Sequence, residues 1–223
     1  MPLTSEQSKG LTDAIGCYAF PRAYFDFQAG REVFDLSMAQ LETRIRDKLI
    51  SRTPELVEIG LASILYWGYS QMGGLAQVRV DRFREGVKPT ALKDAANLFA
   101  ENPRPSLLAI SDLKLPEFSG VSFLSKVRMF LDPCKSATLD KQIMRIHEIC
   151  PDTVLAKISY KSGETSIRVT RSNSEAYEFW CVRLEEIRDQ YFPNLRTVDI
   201  ERGLFHLVQT RQVGQAAQIL EAA

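Results

Sequence analysis

The sequence has few histidines and cysteines, the residues that most often bind zinc or take part in nucleophilic catalysis. Its two histidines, His147 and His206, lie in no recognisable nucleophile motif, which argues against a hydrolase built on a histidine base. The cysteines form no Cys-x-x-Cys pair of the kind that holds zinc or an iron–sulfur cluster; they are Cys17, Cys134, Cys150 and Cys181. We therefore expect reduced thiols, no metal site and no cofactor.

The sequence also has no excess of either charge and no long apolar run. Lys plus Arg and Asp plus Glu number 28 each, so no overall basic field attracts nucleic acid and any such binding requires a local patch. No apolar stretch approaches the roughly 20 residues that span a bilayer, and the N-terminus lacks the pattern of a signal peptide. We expect an intracellular protein, cytoplasmic or nucleoid-associated, without membrane contact; its oligomeric state stays open.

What the chain does have is helical periodicity. Its 223 residues, 45% of them hydrophobic, suffice for one domain with a full core, and we expect a mainly α fold in which residues 1–223 form a single helical domain. Residues 1–34 are rich in aromatics and predict an irregular N-terminal arm. Apolar spacing and Pro or Gly stops predict helices at 36–50, 55–69, about 75–86, 90–100, 106–113 and within 174–215, before a small-residue tail.

One segment has the pattern of strands. Two runs rich in β-branched residues, 154–160 and 165–170, flank a turn that contains Gly163. This arrangement is typical of two antiparallel strands joined by a short loop. The sequence therefore predicts a small β-hairpin near residues 154–170.

The most informative segment is the run from Phe118 to Arg145, which contains a short amphipathic helix with Lys126 near the margin of its apolar face. Lys126 has two interpretations. Either its methylene stem packs along apolar surface while the ammonium stays in water, or burial lowers the pKa of the amine and makes it a nucleophile.

Asp140 also has two interpretations. An aspartate just before Lys141 is an ordinary helix cap, and it is equally a candidate catalytic carboxylate.

At these residues the chain resembles the helix-hairpin-helix DNA glycosylases, and among them the 8-oxoguanine DNA glycosylases, over roughly residues 107–147. In that superfamily a glycine-rich hairpin grips the DNA backbone, the following helix carries a lysine, and an aspartate opens the next helix. The counterparts here are residues 120–122, Lys126 and Asp140, with Ser122 where the family has its second hairpin glycine. A second resemblance lies at 201–205, where Phe205 would stack on the extruded guanine and Glu201 would read its edge.

The resemblance implies a base-excision repair enzyme that acts on double-stranded DNA containing an oxidised purine. Lys126 would attack the sugar and release the base through a Schiff base, which makes the enzyme a DNA glycosylase and lyase, while Asp140 would stabilise the charge that develops on the sugar. Contacts to the DNA backbone would come from the amides of the hairpin and from nearby basic side chains. The residues concerned are Gly120, Val121, Ser122, Lys135, Lys141 and Arg145.

Two other classes of function remain open on the sequence. A non-catalytic helix-hairpin-helix module would bind duplex DNA and use neither Lys126 nor Asp140, and the zero net charge agrees with it. A helical protein–protein adaptor would use the aromatic arm and the 154–170 ribbon as its interaction surface. Only the glycosylase releases a base from DNA, which separates it from the non-catalytic module. The adaptor does not bind nucleic acid, which separates it from both.

Overall fold

The computed structural model describes residues 2–18, 20, 23–27, 29–33, 36–161 and 163–222, and these form a mainly helical fold around one contiguous hydrophobic core. The helices of this described part are α1 Ser5–Gly16, α2 Met38–Leu49, α3 Pro54–Tyr69, α4 Leu75–Gly86, α5 Pro89–Glu101, α6 Leu107–Asp112, α7 Val121–Leu131, α8 Met144–Ile149, α9 Arg171–Tyr191, α10 Thr197–Gln209 and α11 Val213–Glu221. Its two strands are β1 Tyr24–Asp26 and β2 Arg31–Val33. No helix in the part of the chain described is long and apolar enough to cross a membrane.

Local sequence signals explain where several helices begin. α2 starts with a capping box in which Ser37 and Gln40 exchange side-chain to backbone hydrogen bonds, satisfying amides that have no partner inside the helix. α3 and α5 begin at Pro54 and Pro89, where the missing N–H and the fixed φ of proline suit a first helical position. These signals place the predicted helices within a few residues of the observed ones.

Two helices, α3 and α7, form the centre of the fold. α3 packs against α2, α4, α5 and α7, and α7 is buried on every side rather than on one face. Even its polar residues Ser125 and Arg128 are completely or almost completely buried. Arg128 is accommodated because its guanidinium donates to the Pro105 carbonyl and to the Glu178 carboxylate. The amphipathic pattern therefore correctly indicated a helix but understated how deeply it lies.

The prediction of a mainly α fold with a small β-hairpin is confirmed, but the position of the hairpin is wrong, because the two antiparallel strands are β1 and β2 and do not lie near 154–170. Val154–Lys157 is a 3₁₀ helix, and its Leu155 and the following Ile158 both point into the core. The Asn173 side chain binds both backbone groups of Ser159 and the carbonyl of Arg168. Those groups are therefore bonded to Asn173 rather than paired with each other across a ribbon.

The prediction of an irregular arm over 1–34 is also wrong in part. Thr4 and Gln7 form a capping box that starts α1, and this helix packs against α10. β1 and β2 pair antiparallel with Tyr24 opposite Val33, and Gly30 adopts a φ of 64° in the turn between them. At the other end, the small-residue tail forms α11, whose apolar face is buried in the core. Both terminal helices thus cover the core that α10 would otherwise expose.

Candidate active site

A cavity of about 270 Å³ opens where α3, α7, α10 and the turn before α8 meet. Its volume is near the lower end of the range for small-molecule pockets. The four residues predicted for catalysis and base recognition all line it: Lys126, Asp140, Glu201 and Phe205. The fold therefore brings together side chains that are separated by up to 79 positions in the sequence.

A chain of hydrogen bonds links the lysine to the aspartate. The Lys126 amine donates to the Ser122 hydroxyl at 2.9 Å, and that hydroxyl donates to Asp140 Oδ2 at 2.8 Å. The direct separation of Lys126 Nζ and Asp140 Oδ2 is 3.8 Å, which is an ion-pair distance but too long for a hydrogen bond. Ser122 therefore stands between the two charged groups.

Local geometry fixes both ends of this chain. Ser122 and Lys126 are one turn apart on α7, so their side chains lie on the same helical face. Asp140 does not begin a helix directly: a turn over 141–143 intervenes before α8, and Asp140 Oδ1 accepts the Gln142 amide at 3.0 Å. The N-cap of α8 is Ile143, so the interpretation of Asp140 as a helix cap is wrong. Its two carboxylate oxygens instead accept from the Gln142 amide of the turn and from the Ser122 hydroxyl.

Burial controls the electrostatics of the pair. Lys126 is 6% exposed, and its desolvation lowers the pKa of the amine, although Asp140 and Glu201 favour the charged form. Burial would raise the pKa of Asp140, but the Lys126 charge, the Gln142 amide and the Ser122 hydroxyl together hold it below its usual value. The site thus contains an amine that loses its proton more readily than an ordinary lysine, beside a carboxylate that remains ionised.

Glu201 is the unusual acid of the cavity. It is 4% exposed, and among the described residues nothing forms a hydrogen bond with its carboxyl group, because the neighbouring Arg202 is directed to Glu42 and Asp199. Burial raises the pKa of Glu201 to about 8, with Arg202 and Lys126 opposing the effect. A buried carboxyl without a partner in a cavity wall has its hydrogen-bonding capacity available to a ligand.

Aromatic rings form the apolar walls. Phe20 packs on Trp67 with ring centroids 4.6 Å apart, and Tyr18 meets Phe205 edge-on at 6.4 Å. These four side chains line the same cavity as the charged groups. Walls of this kind suit a flat, π-rich ring such as a nucleobase, which stacks on aromatic faces.

A glycine on α3 makes room for the Phe123 ring beside the lysine amine. The Lys126 amine lies 4.9 Å from the centre of the Phe123 ring, and Phe123 stacks on Tyr69 at 4.7 Å. A Cβ atom added to Gly68 would come within 2.7 Å of Phe123 and 3.5 Å of Lys126. Gly68 therefore permits the close approach of α3 and α7 that places the amine in the cavity wall.

The residues expected to contact the DNA backbone are placed less uniformly. The Val121 amide is already bonded to the Ile167 carbonyl at 3.0 Å, next to a backbone bridge between Gly120 and Arg168. Lys135 and Lys141 are exposed, and Lys141 lies at the cavity. Arg145 is half-buried and directed towards the Val208 carbonyl at 3.5 Å. The expected hairpin grip thus has one amide fewer than the resemblance implies.

Three of the aromatic residues that line the cavity were not among the predicted site residues: Tyr18, Phe20 and Trp67. Trp67 is both 3% exposed, as a core residue would be, and part of the cavity wall. Tyr18 and Phe20 belong to the N-terminal segment, whose richness in aromatics was the only sequence signal for them.

Within the described residues, no three His, Cys, Asp or Glu side chains are grouped so as to hold a metal ion. No protein-family model, curated protein or solved structure matches this chain.

Proposed function

We propose that this protein is a DNA glycosylase with lyase activity that removes an oxidised purine from duplex DNA through a Schiff base on Lys126. The observation that carries the proposal is the hydrogen-bonded chain from Lys126 through Ser122 to Asp140 in the wall of a cavity with aromatic sides. The resemblance to the helix-hairpin-helix DNA glycosylases at the same residues supports it.

The cavity agrees with a mechanism in which the damaged nucleotide is first extruded from the duplex, because the sugar C1′ is inaccessible inside the base stack. Phe205 then stacks on the base, and Glu201, once ionised, accepts hydrogen bonds from guanine N1–H and N2–H₂. Because its carboxyl has no hydrogen-bond partner among the described residues, Glu201 gives up no such bond to do so.

The chemical step follows from the pair of charges. After it loses a proton, the Lys126 amine attacks C1′, and the bond from C1′ to the base breaks as the base leaves with the bonding electrons and gains a proton. Asp140 stabilises the positive charge that develops on the sugar. Ring opening then gives the Schiff base between Lys126 and C1′, from which elimination of the 3′ phosphate cleaves the strand.

The test is borohydride trapping on duplex DNA that carries either 8-oxoguanine or a preformed abasic site. The native protein should give a covalent adduct with both substrates, and Lys126→Gln should give none. Asp140→Asn should slow adduct formation by about 10²-fold on 8-oxoguanine and by less on the abasic site, where no base has to leave. Lys93→Gln, which removes an exposed lysine on α5, is the matched control and should behave as the native protein.

The alternative of a non-catalytic DNA-binding module is favoured by the zero net charge. It predicts that the native protein shifts the duplex but gives no adduct and no cleavage with either substrate. The adaptor hypothesis has lost one of its two surfaces, since residues 154–157 are a 3₁₀ helix and not a strand open to pairing. Trapping and a duplex-binding assay together therefore separate the three functions.

A further inference from the structure

We infer that Ser122 is a positioning residue that holds the Lys126 amine and the Asp140 carboxylate together as a charged pair. This inference rests on the proposed function for its catalytic part. It gives a role to the serine that stands where the resembled family has its second hairpin glycine.

The geometry leaves little freedom at the hydroxyl. Its oxygen accepts from Lys126 Nζ at 2.9 Å and its hydrogen is donated to Asp140 Oδ2 at 2.8 Å, so both of its polar functions are used by the two charged groups. Lys126 cannot easily take another position, because its stem packs beside Gly68 and its amine lies over Phe123. Asp140 is fixed from its other oxygen by the Gln142 amide.

The other ionisable groups that face Lys126 do not replace this bridge. Glu201 approaches from α10 and acts on the amine only through space, without a hydrogen bond. Lys141 and Tyr18 line the same cavity but form no hydrogen bond with the Lys126 amine. Within the described residues, the amine's two hydrogen bonds both go to Ser122, to its hydroxyl and, at 3.4 Å, to its carbonyl.

The first test uses the DNA-free protein and does not depend on the proposed function. NMR titration of lysine side-chain nitrogens should assign Lys126 by the loss of its signal in Lys126→Gln. Ser122→Ala removes an acceptor from the ammonium, so its titration midpoint should fall by about one pH unit. Ser122→Thr keeps the hydroxyl and should stay at the native midpoint. An unchanged midpoint in Ser122→Ala, or an equal fall in Ser122→Thr, would overturn the bridge.

The second test measures adduct formation on abasic DNA against pH. With Ser122→Ala, the maximal rate constant should fall tenfold or more, the acidic limb should move to lower pH with the lysine midpoint, and the DNA concentration for half saturation should stay the same. A structural defect alone would lower the rate without moving the limb, and that result would refute the role assigned to Ser122. If the native protein gives no adduct, the glycosylase proposal fails, while the NMR titration still decides whether the bridge exists.

Discussion

Replacing Glu201 by glutamine should change how the stability of the protein depends on pH. Glu201 is buried and has no hydrogen-bond partner in the part of the chain that the structure describes, and burial raises the pKa of its carboxyl from 4.5 to about 8. Between these two values the folded protein binds a proton that the unfolded chain does not. Stability is therefore greatest below the unfolded pKa and decreases as the pH rises towards 8.

The magnitude follows from the size of that window. Each pH unit between the two pKa values lowers the free energy of unfolding by about 1.4 kcal/mol, so the whole window corresponds to about 5 kcal/mol as an upper limit. Water entering the cavity reduces this figure, and we expect a loss of at least about 2 kcal/mol between pH 5 and pH 8.5. Glutamine has nearly the same shape and no charge, so Glu201→Gln should lack this loss.

The assay is urea unfolding at a series of pH values for the native protein, for Glu201→Gln and for Glu175→Gln, which alters an exposed glutamate on α9. Because all other titrating groups are common to the three proteins, the difference between native and Glu201→Gln isolates this carboxyl. The gap should widen in favour of glutamine as the pH rises, whereas Glu175→Gln should follow the native protein. Parallel curves for native and Glu201→Gln would refute the reasoning.

Two further predictions concern the cavity. Gly68→Ala places a Cβ atom against Phe123 and Lys126 and should lower the free energy of unfolding by about 1–3 kcal/mol. The control Gly214→Ala adds its Cβ in open space on α11 and should raise the free energy of unfolding by up to about 1 kcal/mol. Thermal denaturation of both variants checks this prediction, and equal effects of the two substitutions would contradict it. The affinity for 8-oxo-2′-deoxyguanosine, followed by tryptophan fluorescence, should rise up to about tenfold per pH unit until about pH 8, as Glu201 ionises; an equally steep rise in Glu201→Gln would show that another group is responsible.

The sequence was sufficient for most helices because their ends carry local signals. Pro54 and Pro89 mark the starts of α3 and α5, and these signals act through the backbone of a few neighbouring residues. α1 was predicted as irregular even though Thr4 and Gln7 form a capping box, because the aromatics that follow obscured the signal. In the 154–170 segment, the β-branched composition was outweighed by the hydrogen bonds of Asn173, a residue that lies outside both runs.

The sequence predicted several of the residues that line the cavity with Lys126, but it did not predict their positions relative to one another. The approach of Asp140 to Lys126 depends on the segment between α7 and α8, which is fixed by hydrogen bonds from distant elements. Tyr177 and Trp180 of α9 donate to the carbonyls of residues 137 and 138, and the buried Ser125 hydroxyl accepts the Leu139 amide. Sequence patterns report local periodicity, and they do not contain the partners of such long-range bonds.

The division of the cavity between distant parts of the chain has a consequence for how this site can vary. The amine, the bridging hydroxyl and the carboxylate all lie within residues 122–140, whereas Tyr18 and Phe20 of the N-terminal segment and Phe205 of α10 contribute walls. Substitutions in those walls alter the shape of the cavity without touching the chain of hydrogen bonds from Lys126 to Asp140. Selection or design can therefore change which ligand fits the cavity while these three polar groups stay in place.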